Sequence, residues 1–256
     1  MITPMGTAQK KTVAVIGLGY VGLPLAVRAV ERGYDVIGFD THAEKVEVLK
    51  KKKSPIEDQY LIDNIPKFPF EATTDASRLA DADIVLICVP TPVDEMYYPD
   101  LEPVISAATV SAEHLKKGAL VVLESTVNPG VSEEVIRPIF EEHGHKLGKD
   151  VFIAHCPERI NPGDEKWNVT NIPRVVGAFD QKGLKMALEF YRAIVDGEIR
   201  PMKSIREAEA VKVVENSFRD INIAFVNELA RSFDVLGIDV KDVIQGASTK
   251  PFSFMP

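Results

Sequence analysis

The stretch TVAVIGLGYVGLPLAVRAVERGYDVIGFD, residues 12–40, decides the fold of this chain. It opens with a β-branched apolar run at 13–16, which predicts a buried strand. Residues 23–32 follow with the spacing of an amphipathic helix, and a second apolar run at 36–39 predicts another strand that stops at Asp40. A strand, a helix and a strand in this order predict a βαβ unit with two parallel strands in one sheet.

Three glycines, Gly17, Gly19 and Gly22, form G-x-G-x-x-G between the first strand and the helix. The first permits a tight turn, the second lets the backbone approach a pyrophosphate, and the third lets the helix pack close to the strand. The helix N-terminus would face the phosphates. Asp40 lies where a carboxylate accepts hydrogen bonds from the adenosine ribose and repels a 2′-phosphate. We therefore predict a site for NAD rather than NADP; the alternative is a nucleotide-free βαβ unit whose glycines serve packing alone.

Length, charge and cysteine content narrow the class of protein. The 256 residues suffice for one large or two modest domains, and the net charge of -8 argues against a nucleic-acid surface. The two cysteines form neither a disulfide framework nor a metal-ligand cluster, so we expect no metal. The first ten residues lack the apolar core of a signal peptide, and no apolar run approaches membrane-spanning length. We expect a soluble, cytoplasmic protein.

Strands and helices alternate through residue 195, which predicts a Rossmann-type, doubly wound, mainly parallel α/β sheet. In such a sheet, ligands bind at the carboxyl ends of the strands. Three further apolar runs, at 82–89, 119–123 and 150–155, each lead into polar or proline residues. The candidates for lining a site there are Pro90, Thr91, Ser125, Thr126, Glu158 and Arg159.

Position alone leaves the roles of these residues open. Thr91 lies in a stiff Pro-Thr-Pro turn that could wall a cofactor, and Thr126 could contact the cofactor or simply form a turn. Glu158 and Arg159 suit a site that needs a base and an anion anchor, and a surface ion pair is the alternative. Ser132 is predicted as the N-cap of the helix that follows it.

After residue 200 the pattern changes to one long helix. Residues 205–236 contain no Gly or Pro and space their apolar side chains at helical intervals, which predicts a helix of about 48 Å. Its apolar stripe exceeds what one small sheet needs, so we expect it to cross the molecule and form a homodimer. A short helix at 239–246 follows. We place the domains at 1–200, for NAD, and 201–256, for dimerisation and substrate.

A polar face is predicted on this long helix. Lys212, Asn216 and Arg219 are spaced by four and three residues and share a side of the helix, whereas Glu209 and Glu215 are expected to point elsewhere. Two cations and an amide on one face could bind a polar substrate and stabilise an oxyanion. An exposed helix face is the alternative.

The ordered segments GLGYVGLP, VIGFD, VPTP, ESTVNPG, CPERINPG and EAVKVVENSFRDINIAFVNE resemble the UDP-glucose/GDP-mannose dehydrogenase family over nearly the whole chain. Together with ASTKPFSFMP, they are most similar to members that act on UDP-N-acetylhexosamines. The resemblance implies an NAD-dependent, four-electron oxidation of the sugar C6 alcohol to a carboxylate, which supplies UDP-uronic acids for surface polysaccharides. It also implies two successive hydride transfers and a cysteine that forms a thiohemiacetal and then a thioester.

The resemblance also implies roles for individual residues. Glu158 would assist proton transfer, Lys212 would act as general acid/base or oxyanion stabiliser, and Asn216 would be the polar partner of Lys212. Thr126 would contact NAD and hold the hydrolytic water. The residues implied to line the NAD site are Tyr20, Val21, Asp40 and Thr91. Those implied to contact the UDP-sugar are Arg159, Ile160 and Arg219.

The family's nucleophilic cysteine lies in a G-x-G-G-x-C segment that follows the KPF-type stretch, and residues 1–256 contain no such segment. We therefore expect an N-terminal fragment that lacks the second, UDP-binding domain and is inactive alone. Cys156, where the family usually carries Ser, is a weak substitute for the nucleophile. Alternatives are a UDP-glucose or GDP-mannose 6-dehydrogenase, a β-hydroxyacid dehydrogenase, or a sensor or dimerisation module that binds NAD without chemistry.

Overall fold

A computed structural model describes residues 10–160, 166–251 and 254. The end of the CPERINPG segment and part of the KPF-type stretch lie outside these residues. The chain divides into one compact unit that ends at Lys212 and a second that begins at Val213. In the part of the chain that is described, no helix is both long and apolar enough to cross a membrane.

Eight strands of the described residues form one sheet in the order β3-β2-β1-β4-β5-β6-β7-β8. All neighbouring pairs are parallel except β6 and β7, which pair antiparallel. The strands are β1 Thr12–Ile16, β2 Asp35–Phe39, β3 Glu71–Thr73, β4 Ile84–Ile87, β5 Ala119–Leu123, β6 Val151–His155, β7 Arg174–Ala178 and β8 Ile199–Pro201. The predicted doubly wound, mainly parallel sheet is confirmed, and β7 and β8 run antiparallel to the other six strands.

Helices of the first unit cover both faces of this sheet. The α-helices are α1 Gly22–Glu31, α2 Ala43–Lys50, α3 Gln59–Asn64, α4 Glu102–His114, α5 Arg137–Glu142, α6 Gln181–Ile194, α7 Ile205–Val235 and α8 Val240–Ser248. Leu25, Phe152 and Phe190 belong to the core on one face, whereas Val104 and Phe140 belong to the core on the other. Strands buried on both faces explain the continuous apolar runs in the sequence.

The predicted N-cap at Ser132 is wrong. Ser132 lies inside a π-helical turn, Ser132–Ile136, and its side chain is buried and makes no hydrogen bond to a described residue. Its backbone N–H instead donates to a carboxylate oxygen of Glu209, 2.8 Å away. A carboxylate from a distant element, rather than the Ser132 hydroxyl, therefore accepts a hydrogen bond from a backbone N–H at the start of this turn.

The second unit contains most of α7 and all of α8. Helix α7 runs without a break through 31 residues, which confirms the predicted long helix. It ends before Gly237, whose φ of 69° is typical of a glycine after a helix C-terminus. Helix α8 begins at the predicted place, and the Asp239 side chain caps it by accepting a hydrogen bond from the Lys241 N–H.

Candidate cofactor and substrate site

The glycine turn lies between β1 and α1, where the strand order of the sheet reverses between β1 and β4. Gly17 has a φ of 90°, and a Cβ there would lie 2.6 Å from the Cys88 carbonyl oxygen. A Cβ on Gly22 would lie 2.0 Å from the Gly17 carbonyl oxygen. The backbone is therefore packed as closely as the sequence predicts. Ligands bind at such a reversal point in open α/β sheets.

A cavity of about 620 Å³ opens over this turn, at the carboxyl ends of β1, β2 and β4. Its lining includes six of the predicted cofactor residues, namely Gly17, Gly19, Tyr20, Val21, Asp40 and Pro90. Gly19 faces open space, so a phosphate group could reach its backbone. The residues present thus fit a dinucleotide, with its diphosphate over the glycines and its adenosine ribose at Asp40.

Asp40 is buried at the end of β2 and strongly held. Its carboxylate accepts hydrogen bonds from the Leu18 N–H at 2.8 Å and the His42 N–H at 3.0 Å, and it pairs with Lys45 Nζ at 2.5 Å. Burial alone would raise the pKa of Asp40, but Lys45 and the two N–H groups outweigh it and hold that pKa below its usual value. Lys45, one turn into α2, also lines the cavity and was missed from sequence.

The other predicted cofactor residues lie near the ends of β4 and β5. Ser125 is buried, and its hydroxyl donates to the Val89 carbonyl at 2.6 Å, which ties these two strand ends together. Thr91 is partly exposed, one residue beyond the cavity-lining Pro90. Thr126 is partly buried directly after Ser125. Ser125 therefore supports the cavity wall, and contact of these three residues with a cofactor stays a prediction.

Glu158 follows β6 and is held by its own loop. Its Oε1 accepts hydrogen bonds from the N–H groups of Arg159, at 2.5 Å, and of Ile160. The Arg159 side chain donates to the Pro173 carbonyl at 2.8 Å. The alternative of a surface ion pair between Glu158 and Arg159 is not the arrangement seen, because Glu158 is buried and its Oε1 accepts from backbone N–H groups.

A buried charged cluster, missed from sequence, lies behind Glu158. Arg174, the first residue of β7, contacts Glu124 Oε2 at 2.9 Å and Glu158 Oε2 at 3.5 Å. The Tyr191 hydroxyl donates to the other Glu124 oxygen, Oε1. The side chains of Arg174 and Glu124 are 0% exposed. A single sequence does not reveal this cluster, because its members come from β7, from α6 and from the segments that follow β5 and β6.

Burial raises the pKa of Glu124 to about 7, with Arg174 opposing the rise and Glu158 adding to it. An acid with a raised pKa in the folded state stabilises the fold at low pH. That contribution is lost as the pH rises from the usual 4.5 through 7. Between pH 5 and pH 8, urea unfolding should show wild type losing about 2.5 kcal/mol more stability than Glu124→Gln. Parallel curves for the two proteins would contradict this assignment.

Cys156 is poorly suited to act as a nucleophile. Its side chain is buried, and burial raises the pKa of its thiol, with Glu124 adding to the effect. Its Sγ lies 3.9 Å from Arg174 Nη1, but this contact does not offset the burial. The thiolate that catalysis would need is therefore disfavoured at neutral pH.

The predicted polar residues of α7 are divided between the two units. Lys212 is partly buried and ends the first unit. In the second, Arg219 Nη2 donates to Asn216 Oδ1 at 3.2 Å. Glu209 is fully buried in the first unit, where it accepts hydrogen bonds from the N–H groups of Gly130 and Ser132. Glu209 thereby anchors the start of α7 to the loop after β5.

A glycine turn at the reversal point of a doubly wound sheet, with a carboxylate at the end of β2, defines a dinucleotide-binding Rossmann domain. Comparison with known proteins gives the family. Residues 11–195 match the NAD-binding domain of the UDP-glucose/GDP-mannose dehydrogenase family, and residues 206–256 match its central domain. The chain belongs to this family, and its cofactor is NAD.

Two curated relatives show where the chain lies within the family. It is 39% identical over 247 residues to a UDP-N-acetyl-D-glucosamine 6-dehydrogenase from Pseudomonas aeruginosa, covering 95% of this chain and 58% of that protein. It is 37% identical over 251 residues to a UDP-N-acetyl-D-mannosamine dehydrogenase from Methanococcus maripaludis, covering 96% and 57%. The chain thus spans less than two thirds of the length of these relatives.

A solved structure agrees with this placement. The UDP-D-ManNAc dehydrogenase from Pyrococcus horikoshii matches with a TM-score of 0.91 at 33% identity, over 96% of this chain and 59% of that one. The resemblance noted in the sequence is therefore confirmed at the level of the family and the fold.

Proposed function

We propose that this protein takes part in the NAD-dependent oxidation of the C6 alcohol of a UDP-N-acetylhexosamine to a carboxylate. The observation that carries the proposal is geometric. One unit holds the glycine turn at the ends of β1 and β4 and a buried carboxylate, Glu158, after β6 of the same sheet. The relatives named above act on UDP-N-acetylhexosamines, which supports this substrate class.

Different parts of the cavity would bind different parts of the cofactor. The N–H groups at the start of α1 would hold the diphosphate, and Gly19 leaves room for it. Asp40, which is paired with Lys45, would accept hydrogen bonds from the adenosine ribose. Val89 and Pro90 wall the cavity at the end of β4. When bound, NAD would supply the hydride acceptor for oxidation at the sugar C6.

The proposed chemical groups lie on the loops after β5 and β6 and on α7. Glu158 holds or releases a proton at Oε2, because backbone N–H groups engage Oε1. Thr126 is proposed to orient a water molecule and to contact NAD, and Lys212 to stabilise an oxyanion. Arg159 and Ile160 are proposed to hold the substrate, together with Asn216 and Arg219.

Counting NADH tests the proposal. The whole coding sequence that contains this chain should be expressed and supplied with NAD and a UDP-N-acetylhexosamine. Two NADH per sugar are expected, because an alcohol becomes a carboxylate. One NADH per substrate would favour the oxidation of a secondary alcohol, as in a β-hydroxyacid dehydrogenase. Tight NAD binding with no turnover of any UDP-sugar, UDP-glucose included, would favour a sensor.

We also propose that the protein is a cytoplasmic homodimer that pairs through α7. Four apolar side chains spaced by four, three and four residues form one stripe on this helix. They are Val214, Phe218, Ile221 and Phe225, with exposed fractions of 65%, 53%, 67% and 54%. An exposed apolar stripe of this size marks an interaction surface. NAD and UDP-sugars are cytoplasmic metabolites, which supports the proposed compartment.

A charge placed in the stripe should abolish the dimer. Phe225→Asp is expected to shift the molar mass measured by light scattering from that of two chains to that of one. Asn227→Asp is the matched control, since two residues along a helix turn the same charge through about 200°. The control should remain dimeric. A wild-type chain that is monomeric at micromolar concentration would rule out a stable dimer through α7.

A further inference from the structure

The guanidinium of Arg174 lies directly behind the carboxylate of Glu158. Its Nη2 is 3.5 Å from Glu158 Oε2, the oxygen that the backbone N–H groups of Arg159 and Ile160 leave free. Its Nη1 is 2.9 Å from Glu124 Oε2. One cation therefore lies between two carboxylates at the carboxyl ends of β5 and β6.

Burying such a cluster is energetically unfavourable, so its geometry indicates what the buried charges are for. The side chains of Arg174 and Glu124 are fully buried, and the Tyr191 hydroxyl occupies the second oxygen of Glu124. Removing charges from water costs several kcal/mol per ion, and well-packed apolar residues often replace such groups without loss of stability. A purely structural need would be met more simply by apolar packing. The cluster instead fixes one particular carboxylate, that of Glu158.

We propose that Arg174 is a positioning residue for Glu158, and that Glu124 and Tyr191 hold Arg174 in place. This inference rests on the proposed function, in which Glu158 transfers a proton. Arginine stays charged at all accessible pH values, so Arg174 cannot take that proton itself. It acts through Glu158, whose Oε2 it orients while that oxygen keeps a further lone pair for a proton.

Four variants of this chain test the inference. Arg174→Met removes the charge, Arg174→Lys restores it in part, and Tyr191→Phe removes only the hydroxyl that holds Glu124. Arg28→Met is the matched control, because Arg28 is another buried arginine, paired with Glu31 and Asp196. The first readout is amide hydrogen exchange at Arg159 and Ile160, whose N–H groups report the orientation of Glu158.

The second readout is the ¹³C resonance of the Glu158 carboxyl, assigned through its loss in Glu158→Gln. Arg174→Met should speed exchange at both amides tenfold or more beyond the rest of the unit and should move this resonance. Arg174→Lys and Tyr191→Phe should give intermediate shifts, and Arg28→Met none. If Arg174→Met does not fold, the shifts in Arg174→Lys and Tyr191→Phe provide the test.

Unchanged exchange and resonance in the folded Arg174 variants, or equal changes in Arg28→Met, would overturn the inference. An NAD titration of each variant separates this result from a failure of the proposed function. NAD affinity should stay within threefold in every variant, because the glycine turn does not contact Arg174. If wild type itself does not bind NAD, the proposed function fails, while the exchange data still report on Arg174.

Discussion

Glu209→Ala is expected to lower the free energy of unfolding by about 4 kcal/mol, since each hydrogen bond to a charged group contributes about 1.5–3 kcal/mol. The Glu209 carboxylate is fully buried and accepts from the Gly130 N–H at 2.6 Å and the Ser132 N–H at 2.8 Å. Alanine leaves both N–H groups buried without an acceptor. It also detaches the start of α7 from the loop that follows β5.

Urea unfolding of matched variants measures this effect. Glu209→Gln keeps the shape and one acceptor oxygen, so a loss of about 2 kcal/mol is expected. Glu133→Gln is the control, because Glu133 pairs with the exposed Arg206 in the first turn of α7. Exposed pairs contribute about 0–1 kcal/mol. Equal losses in Glu209→Ala and Glu133→Gln would show that Glu209 is no anchor.

Local patterns predicted the elements of this fold because each depends on neighbours in the chain. The βαβ unit of residues 12–40 follows from apolar periodicity, and the glycine turn follows from the spacing of Gly17 and Gly22. The antiparallel direction of β7 was not predicted, because the five-residue run RVVGA carries no sign of its direction. The short strands β3 and β8 were missed for a similar reason, as three residues give no period.

In the candidate site, too, local features were predicted and contacts between distant residues were not. Asp40 was predicted from its place at a strand end, but its partner Lys45 comes from the helix that follows. Arg174 reaches Glu124 and Glu158 over 50 and 16 residues of sequence, and Glu209 reaches Gly130 over 79. A single sequence contains no signal for such pairings. Buried ionic contacts across the sheet therefore emerge only from the three-dimensional structure.

Two glycine variants should separate cofactor binding from folding. A Cβ on Gly22 would meet the Gly17 carbonyl oxygen at 2.0 Å and also crowd Val15 and Cys88, so backbone must move. Gly22→Ala is expected to abolish NAD binding and to destabilise the fold by about 2–3 kcal/mol. At this size that corresponds to a drop in melting temperature of about 5–10 °C.

Gly19→Ala should act on the cofactor alone. A Cβ on Gly19 meets no atom within 4 Å and points into open space beside a cavity that Gly19 itself lines. Its melting temperature should match wild type, while NAD affinity falls roughly tenfold or more, equal to about 1.4 kcal/mol. Gly246→Ala, inside α8 and also without a neighbour, controls for the added methyl group. Calorimetric titration measures the NAD affinity of each variant. If Gly19→Ala binds NAD as tightly as wild type, the diphosphate does not cross this turn.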